Sequence, residues 1–595
     1  MKIKQSYKIN TYIQIGFFLL FCITYIYLML YGEDFAYHDN EQYTLFSLSG
    51  NFLGMPIHPS GGRFWPLGHQ EFNLISLFSK TPLAYHLFPV FQLVVCLCVI
   101  WLILENKSIS YKLFVIFFIM ITHSFVISFQ GLIFPERNLI FWISILILSI
   151  QKFEKSNSII YFIGAIIAAQ FLLYYKEPIF LLIGGFATMR LVNSLVIIKI
   201  WSNWGNLSKV IKYRWIDVSL IILSIIFLSY YFLCIFPNIE DAYMSNNQVN
   251  TFSIIVSYLT TDIILNVFFI VFFVRIIYLG KIKKNPDMLW DFLAFSSILY
   301  FISYIKLGMY STYYTSLTDF IAILYLAILI DRIDFSNNKS HLKKSTIIAL
   351  TFLLCLENIH LSSYAIISRK KHIDSRVKFV QFIQEYIYNH PNGNDLGLFF
   401  PHNNNYDVMQ FTAFMNYKIN QGSNFSDITD TQLYSNGQKL VLKNYLTEKL
   451  DKDLCVSYRN IKCYYQSKPS FNDLIIYLPA SDHLNLYSQK FDGFRKYIGS
   501  IRKKELIDLG SNSKTLFHYQ PMFEGLEKIL VFLSPPKWID SDWLNGSIMT
   551  QNPLLSLTED TYKLKNLKLL SEEQSLFYFP IKDRQYYENS KILME

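Results

Sequence analysis

The chain has 595 residues and a mass of 70.0 kDa, with 52% hydrophobic and only 16% charged residues, which is too apolar for an ordinary soluble protein and long enough for more than one domain. The formal net charge of +9 does not point to nucleic acid. The Lys and Arg residues fall mainly in short stretches between apolar runs, where they orient helices in a bilayer, and no basic nucleic-acid motif accompanies them.

The N-terminal stretch MKIKQSYKINTYIQIGFFLLFCITYIYLMLY has a basic start and an apolar run, and with no small-residue cleavage site it reads as a retained span. Hydropathy then predicts spans near 10–31, 86–104, 113–129, 138–151, 159–175, 179–200, 217–236, 254–274, 289–305, 317–331 and 345–364, about eleven in all. With the N-terminus inside, the cytoplasmic loops carry Lys107 and Lys112, Lys152 and Lys155, Lys209 with Lys212 and Arg214, Arg275 with Lys281, Lys283 and Lys284, and Arg332 with Lys343 and Lys344. The opposite loops carry only Arg63, Lys80, Arg137, Lys176 and Lys306, and this bias sets the orientation. Two features run against the count: the span at 138–151 is short, and Arg369, Lys370 and Lys371 follow the last span on the cation-poor side.

From about residue 366 the composition becomes that of a soluble domain. RVKFVQFIQEYIY at 376–388 and YDVMQFTAFMNY at 406–417 have helical apolar spacing, while LGLFF at 396–400 and DLIIYLP at 473–479 read as strands, which implies an α/β unit. KILVFLSPPKW and SLFYFP are more β-like. The expected division is a membrane domain over 1–365, with a long first outer loop over 32–85, and an extracytoplasmic α/β domain over 366–595. Cys455 and Cys463 are the only cysteines of that second region; they either close a disulfide, which requires an oxidising compartment, or are two unrelated thiols.

Chemistry gathers beyond the helix ends on the cation-poor face. The first outer loop places Asp34, Asp39 and Glu41 soon after the first span, where a carboxylate either accepts a proton from an attacking hydroxyl or caps a helix end. FPERN at 134–138 and YYKEP at 174–178 each set an acid beside a base, Glu136 with Arg137 and Lys176 with Glu177, as local salt bridges or as an anion site with orienting acids. KLGMYSTYYTS at 306–316 adds Tyr310, Tyr313 and Tyr314, for stacking on a sugar or for anchoring at the interface. His38, His58 and His69 with Glu71 match no zinc spacing. There is no P-loop, dinucleotide fingerprint, G-x-S-x-G elbow or H-E-x-x-H helix, so ATP-driven transport, redox chemistry and the common hydrolases lose support.

In this layout, and in HDNEQY at 38–43, the chain resembles the GT-C class of polytopic glycosyltransferases, which includes the protein O-mannosyltransferases and the lipid A aminoarabinose transferase. Members carry an acidic motif, often Asp-Glu with an aromatic soon after, in a long loop following the first span; here Asn40 stands where a strict pair would place the Asp. The resemblance implies a helical GT-C-like fold and an inverting, hexosyltransferase-type transfer. The donor it implies is a polyprenyl-phosphate sugar, and the acceptor a cell-surface glycan, lipid or protein. It makes Asp39 the general base, with Asp34 and Glu41 as the other candidates, while the richness in Ile, Lys, Asn, Phe and Tyr suggests a bacterial chain and so an inner (cytoplasmic) membrane location. Arg63, Arg137, Lys176 and Lys306 are then the donor-phosphate cations, with Glu136, Glu177, Tyr313 and Tyr314 orienting them or meeting the acceptor. A divalent cation, Mg or Mn, is the one cofactor the class leaves open. A lipid-linked saccharide polymerase or ligase, and a flippase or transporter of such saccharides, are the alternatives.

Overall fold

The structure, a computed structural model, describes residues 2–36, 38–45, 57–59, 62–197, 210, 213–239, 251–331 and 350–359, short runs and single positions between 361 and 418, and five four-residue strands between 397 and 580. It divides into two compact units, Met1–Tyr31 with Gly54–Ile366 and Ser534–Ile539, and Gly32–Leu53 with Ile367–Leu533 and Asp540–Glu595.

The first unit is a helical bundle. Its elements are α1 (Lys2–Leu30), the small hairpin β1–β2 (Ile57–His58, Arg63–Phe64), α3 (Gln70–Ser76), α4 (Pro82–Ile103), α5 (Ile109–Ile121), α6 (His123–Gln130), α7 (Glu136–Ser156), α8 (Ile159–Tyr175) and α9 (Ile179–Ile197). They are followed by α10 (Trp215–Tyr230), α11 (Thr251–Thr261), α12 (Ile263–Ile282), α13 (Trp290–Lys306) and α14 (Thr312–Asp331); α2 (Gln42–Leu45) belongs to the second unit. Six helices among the described residues are long and apolar enough to cross a membrane, seven if the bent pair α5 and α6 is one span. This is a polytopic membrane protein. α14 is the central helix: it is mostly buried and packs on α5, α6, α7, α12 and α13.

Several boundaries differ from the expected ones for visible reasons. The short span at 138–151 is α7, whose charged ends, Glu136 with Arg137 and Lys152 with Lys155, lower its hydropathy without ending the helix. The span at 254–274 is two helices. Asp262 interrupts the run and caps α12, its Oδ1 accepting the Leu265 N–H at 2.9 Å. The predicted span 113–129 breaks by 68° at Thr122, where no Pro or Gly stands. Other side chains satisfy the groups freed there: Ser362 Oγ donates to Ile121 O at 2.7 Å and Asn358 Oδ1 accepts from His123 N at 3.2 Å.

The charges separate into two sets. Lys107 pairs with Asp331, Lys152 and Lys155 with Glu105, Arg190 with Glu154 and Asp217, Arg214 with Glu154, and Arg275 with Asp291. Arg63 pairs with Glu177, Arg137 with Glu71, and Lys176 with Glu136. No ion pair among the described residues joins the two sets, so the bundle has one end for the predicted basic loops and another for the predicted outer loops.

In the second unit, five strands β3 (Gly397–Phe400), β4 (Val441–Asn444), β5 (Lys462–Tyr465), β6 (Leu474–Tyr477) and β7 (Phe577–Pro580) form one sheet in the order β5-β4-β3-β6-β7. All pairs are parallel except β6 with β7. β3, β6 and β7 fall on LGLFF, DLIIYLP and SLFYFP, whereas β4 and β5 lie where no strand was expected; KILVFLSPPKW lies outside the described residues, as does Cys455, and only the backbone of Cys463 is described, in β5. The same unit contains the acidic segment after α1. Glu33 takes Arg369 at 2.6 Å and Lys370, so these cations beyond the last predicted span are spent on a buried carboxylate.

Candidate functional site

The end of the bundle that carries the predicted outer loops, called the outer end below, is built from short pieces of chain far apart in sequence. Gly62, at φ 70°, lets β1 turn into β2, which lays Arg63 and Phe64 against the loop after α8. There Glu177 Oε1 accepts from Arg63 Nε at 3.0 Å and from the Phe64 N–H at 2.9 Å. Arg63 also lies over the Trp65 ring at 5.3 Å and keeps 22% of its side chain exposed.

Arg137, in the first turn of α7, is wholly buried. Its Nε donates to Gln92 Oε1 at 2.7 Å, Nη1 to Gly131 O at 3.1 Å and Nη2 to Glu71 Oε1 at 3.2 Å, and its guanidinium lies 5.4 Å from the Phe72 ring centre. Asn138 closes the network: its Nδ2 reaches Glu71 Oε1 at 2.8 Å and its Oδ1 accepts from Gln92 Nε2 at 2.7 Å. Gly131 is required here, because a Cβ would stand 2.1 Å from the Phe134 ring. With every donor nitrogen turned inward and no solvent contact, Arg137 holds Glu71 and the α6–α7 turn in place.

Lys176 differs. It stands in extended backbone at the end of α8, and its Nζ meets Glu136 Oε1 at 2.6 Å. The same ammonium lies 4.8 Å from the Tyr314 ring centre and 6.0 Å from those of Tyr304 and Tyr313. Tyr304 and Tyr314 stack at 4.6 Å, Tyr313 packs on Phe134 at 4.5 Å, and the Tyr300 and Tyr304 hydroxyls are hydrogen-bonded at 2.8 Å. One ammonium donor is committed to Glu136, and Lys176 retains 8% side-chain exposure. An ammonium held against aromatic faces, with only one carboxylate for company, is suited to a second anionic oxygen.

The predicted neighbours therefore do not pair with each other. Glu136 serves Lys176, Glu177 serves Arg63, and Arg137 takes Glu71. His69 joins the group in a left-handed backbone conformation, φ 62°, with its ring edge-on to Trp65. Burial first, and then the charges of Arg137 and Lys176, lower its pKa from 6.5 to about 3, so it is neutral at ordinary pH. Lys306, by contrast, is exposed at the end of α13 and makes no ion pair among the described residues.

The acidic residues after α1 belong to the second unit. His38–Glu41 form a 3-10 turn, which places the Asp39 backbone; nothing of its side chain is described. Glu41 is buried, and Asp34 accepts from Lys418 Nζ at 2.8 Å and from the Phe35 N–H at 2.7 Å. Among the described residues no group of three or more His, Cys, Asp or Glu side chains gathers to hold a metal ion. The acids of the outer end each face a cation, which does not fit a divalent-ion cradle.

Gln92, Asn138 and Tyr304 join this end of the bundle without having been singled out in the sequence, and Glu71 joins it as the partner of Arg137 and Asn138 instead of beside the first-loop histidines. Glu71 lies 66 residues from Arg137 and Gln92 lies 45 away, so no local pattern connects them.

No protein-family model matches the chain, and no curated protein matches it. Among solved structures, the crystal structure of ArnT from Cupriavidus metallidurans bound to undecaprenyl phosphate is similar at 10% identity and a TM-score of 0.42, covering 85% of this chain and 96% of that one.

Proposed function

We propose that the chain is a membrane glycosyltransferase that moves a sugar from a polyprenyl-phosphate donor to a cell-surface glycan, lipid or protein on the extracytoplasmic face. The observation that carries the proposal is the Lys176 ammonium, oriented by Glu136 and walled by Tyr304, Tyr313 and Tyr314, at the end of the bundle away from the basic loops. That is where a lipid phosphate at headgroup depth would lie, and a cation there neutralises the charge that grows on the leaving phosphate. Arg63, more exposed and oriented by Glu177, is the second phosphate cation.

In this reading an acceptor hydroxyl attacks the anomeric carbon and gives its proton to a carboxylate as the bond to phosphate breaks. The electron pair leaves on the polyprenyl phosphate, and the anomeric configuration inverts. Asp39 is the base, on the strength of HDNEQY; Asp34 is less suited, because Lys418 already occupies it. The region 366–595 is an extracytoplasmic α/β domain that shapes the acceptor site, and the membrane is the bacterial inner membrane.

The test is incubation of the purified chain with a panel of polyprenyl-phosphate sugars, followed by donor consumption. Asp39→Asn should abolish consumption with normal membrane insertion; retained turnover moves the base to Asp34 or Glu41. One observation favours a flippase of lipid-linked saccharides as second reading: the 68° break at Thr122, beside which Ser124 donates to the buried Asp319. Translocation of intact donor without its consumption would select that reading.

A further inference from the structure

The segment just before α4 exposes apolar side chains that the fold leaves uncovered. Leu74, Leu77 and Phe78 are 59%, 62% and 83% exposed, although each could have been polar at no cost to the core. Their spacing puts them on one side of α3 and the turn that follows, while Phe72, Asn73 and Ser76 are buried on the other. The buried side is firmly attached: Phe72 stacks on Tyr85 of α4 at 5.4 Å, and Glu71 is held by Arg137 and Asn138.

α4 begins at Pro82, only four residues beyond Phe78, and it is a membrane-crossing helix. Leu83, Leu87 and Phe91, at helical spacing of four, form its own exposed apolar stripe, which starts five residues beyond Phe78 in the chain. An exposed apolar side on a short helix that ends a few residues before a membrane-crossing helix is the pattern of a helix lying in the plane of the interface. We infer that α3 and its following turn form an interfacial hook, with Leu74, Leu77 and Phe78 seated among the lipid acyl chains of the leaflet that meets the start of α4. The occupant of this face is lipid, and no partner protein is needed to cover it. Because Glu71 sits on the same helix, the hook also fixes the depth of the Glu71–Arg137 network at the level of the lipid headgroups.

The inference rests on the membrane-spanning fold and not on sugar transfer, so a chain that consumes no donor still answers it. A fluorescent amino acid is placed at Phe78 by stop-codon suppression in the full-length chain, reconstituted in phosphatidylcholine nanodiscs; a position 83% exposed tolerates the change. The same probe at Phe91 serves as the deeper reference. Emission at 78 should be lost most to a lipid spin-labelled near the headgroup end of its acyl chain and least to aqueous iodide, while emission at 91 should respond best to a label near the methyl end. Strong iodide quenching at 78 would place the hook in water, and resistance to both quenchers would place it under protein; either result overturns the inference.

Discussion

The two ends of the helical bundle use their charges in different ways. At the basic-loop end, Lys107, Lys152 and Lys155 reach across to Asp331 and Glu105 with both partners partly exposed, so the pairs fix loops weakly and are screened by salt. Arg190 and Asp217 are the exception, a buried pair that fastens α9 to α10. At the outer end, Arg137 and Glu136 are wholly buried, and Lys176 is surrounded by tyrosine rings. Arg190 also lies over an aromatic ring, that of Phe186 at 4.9 Å, but Lys176 is the cation with three tyrosine rings within 6.0 Å.

The sharpest way to break this contrast is Lys176→Met. It should abolish donor consumption and, by stranding the buried Glu136 carboxylate, lower stability by about 3–5 kcal/mol, read as a fall in the thermal midpoint. Arg137→Met should cost a similar ~3–5 kcal/mol by leaving Glu71 buried without its cation, yet a folded fraction should still bind donor, since Arg137 faces inward. Equal loss of donor affinity per folded molecule in both variants would erase the distinction between them. Arg63→Lys keeps the charge but loses the Nε contact to Glu177, and should raise the donor KM while leaving kcat nearly unchanged.

A pH series tests His69. Its folded pKa of about 3 lies below the ordinary 6.5, so the neutral ring contributes stability that is complete above pH 6.5 and is lost as pH falls toward 3. His69→Asn suits the left-handed backbone and should flatten that part of the acid limb of the thermal midpoint; an unchanged limb would remove His69 from the account. The smallest effect belongs to the other end of the bundle. Lys107→Met should change stability by less than about 1 kcal/mol, and by less still at high salt.

Much of the architecture was legible because bilayers impose it. Apolar runs and the bias of Lys and Arg gave the alternation of loops, and the two separate sets of ion pairs follow that alternation. The acid–base neighbours in FPERN and YYKEP do not pair with each other, since Glu136, Arg137, Lys176 and Glu177 each find partners from distant chain. Gln92 and Glu71 carried no local signal, because a buried arginine collects acceptors wherever packing brings them. The break at Thr122 was hidden for a similar reason: its compensating groups, Asn358 and Ser362, lie more than two hundred residues away.

The central claim is that Lys176 holds the phosphate of a lipid-linked donor. Its most direct test is equilibrium binding of a polyprenyl-phosphate sugar to the purified chain and to Lys176→Met, each corrected for its folded fraction. The account predicts saturable binding by the parent chain and at least a roughly tenfold weaker affinity in the variant, the loss of one charge-assisted contact. Equal affinity in the two proteins, or no binding by either, would contradict it.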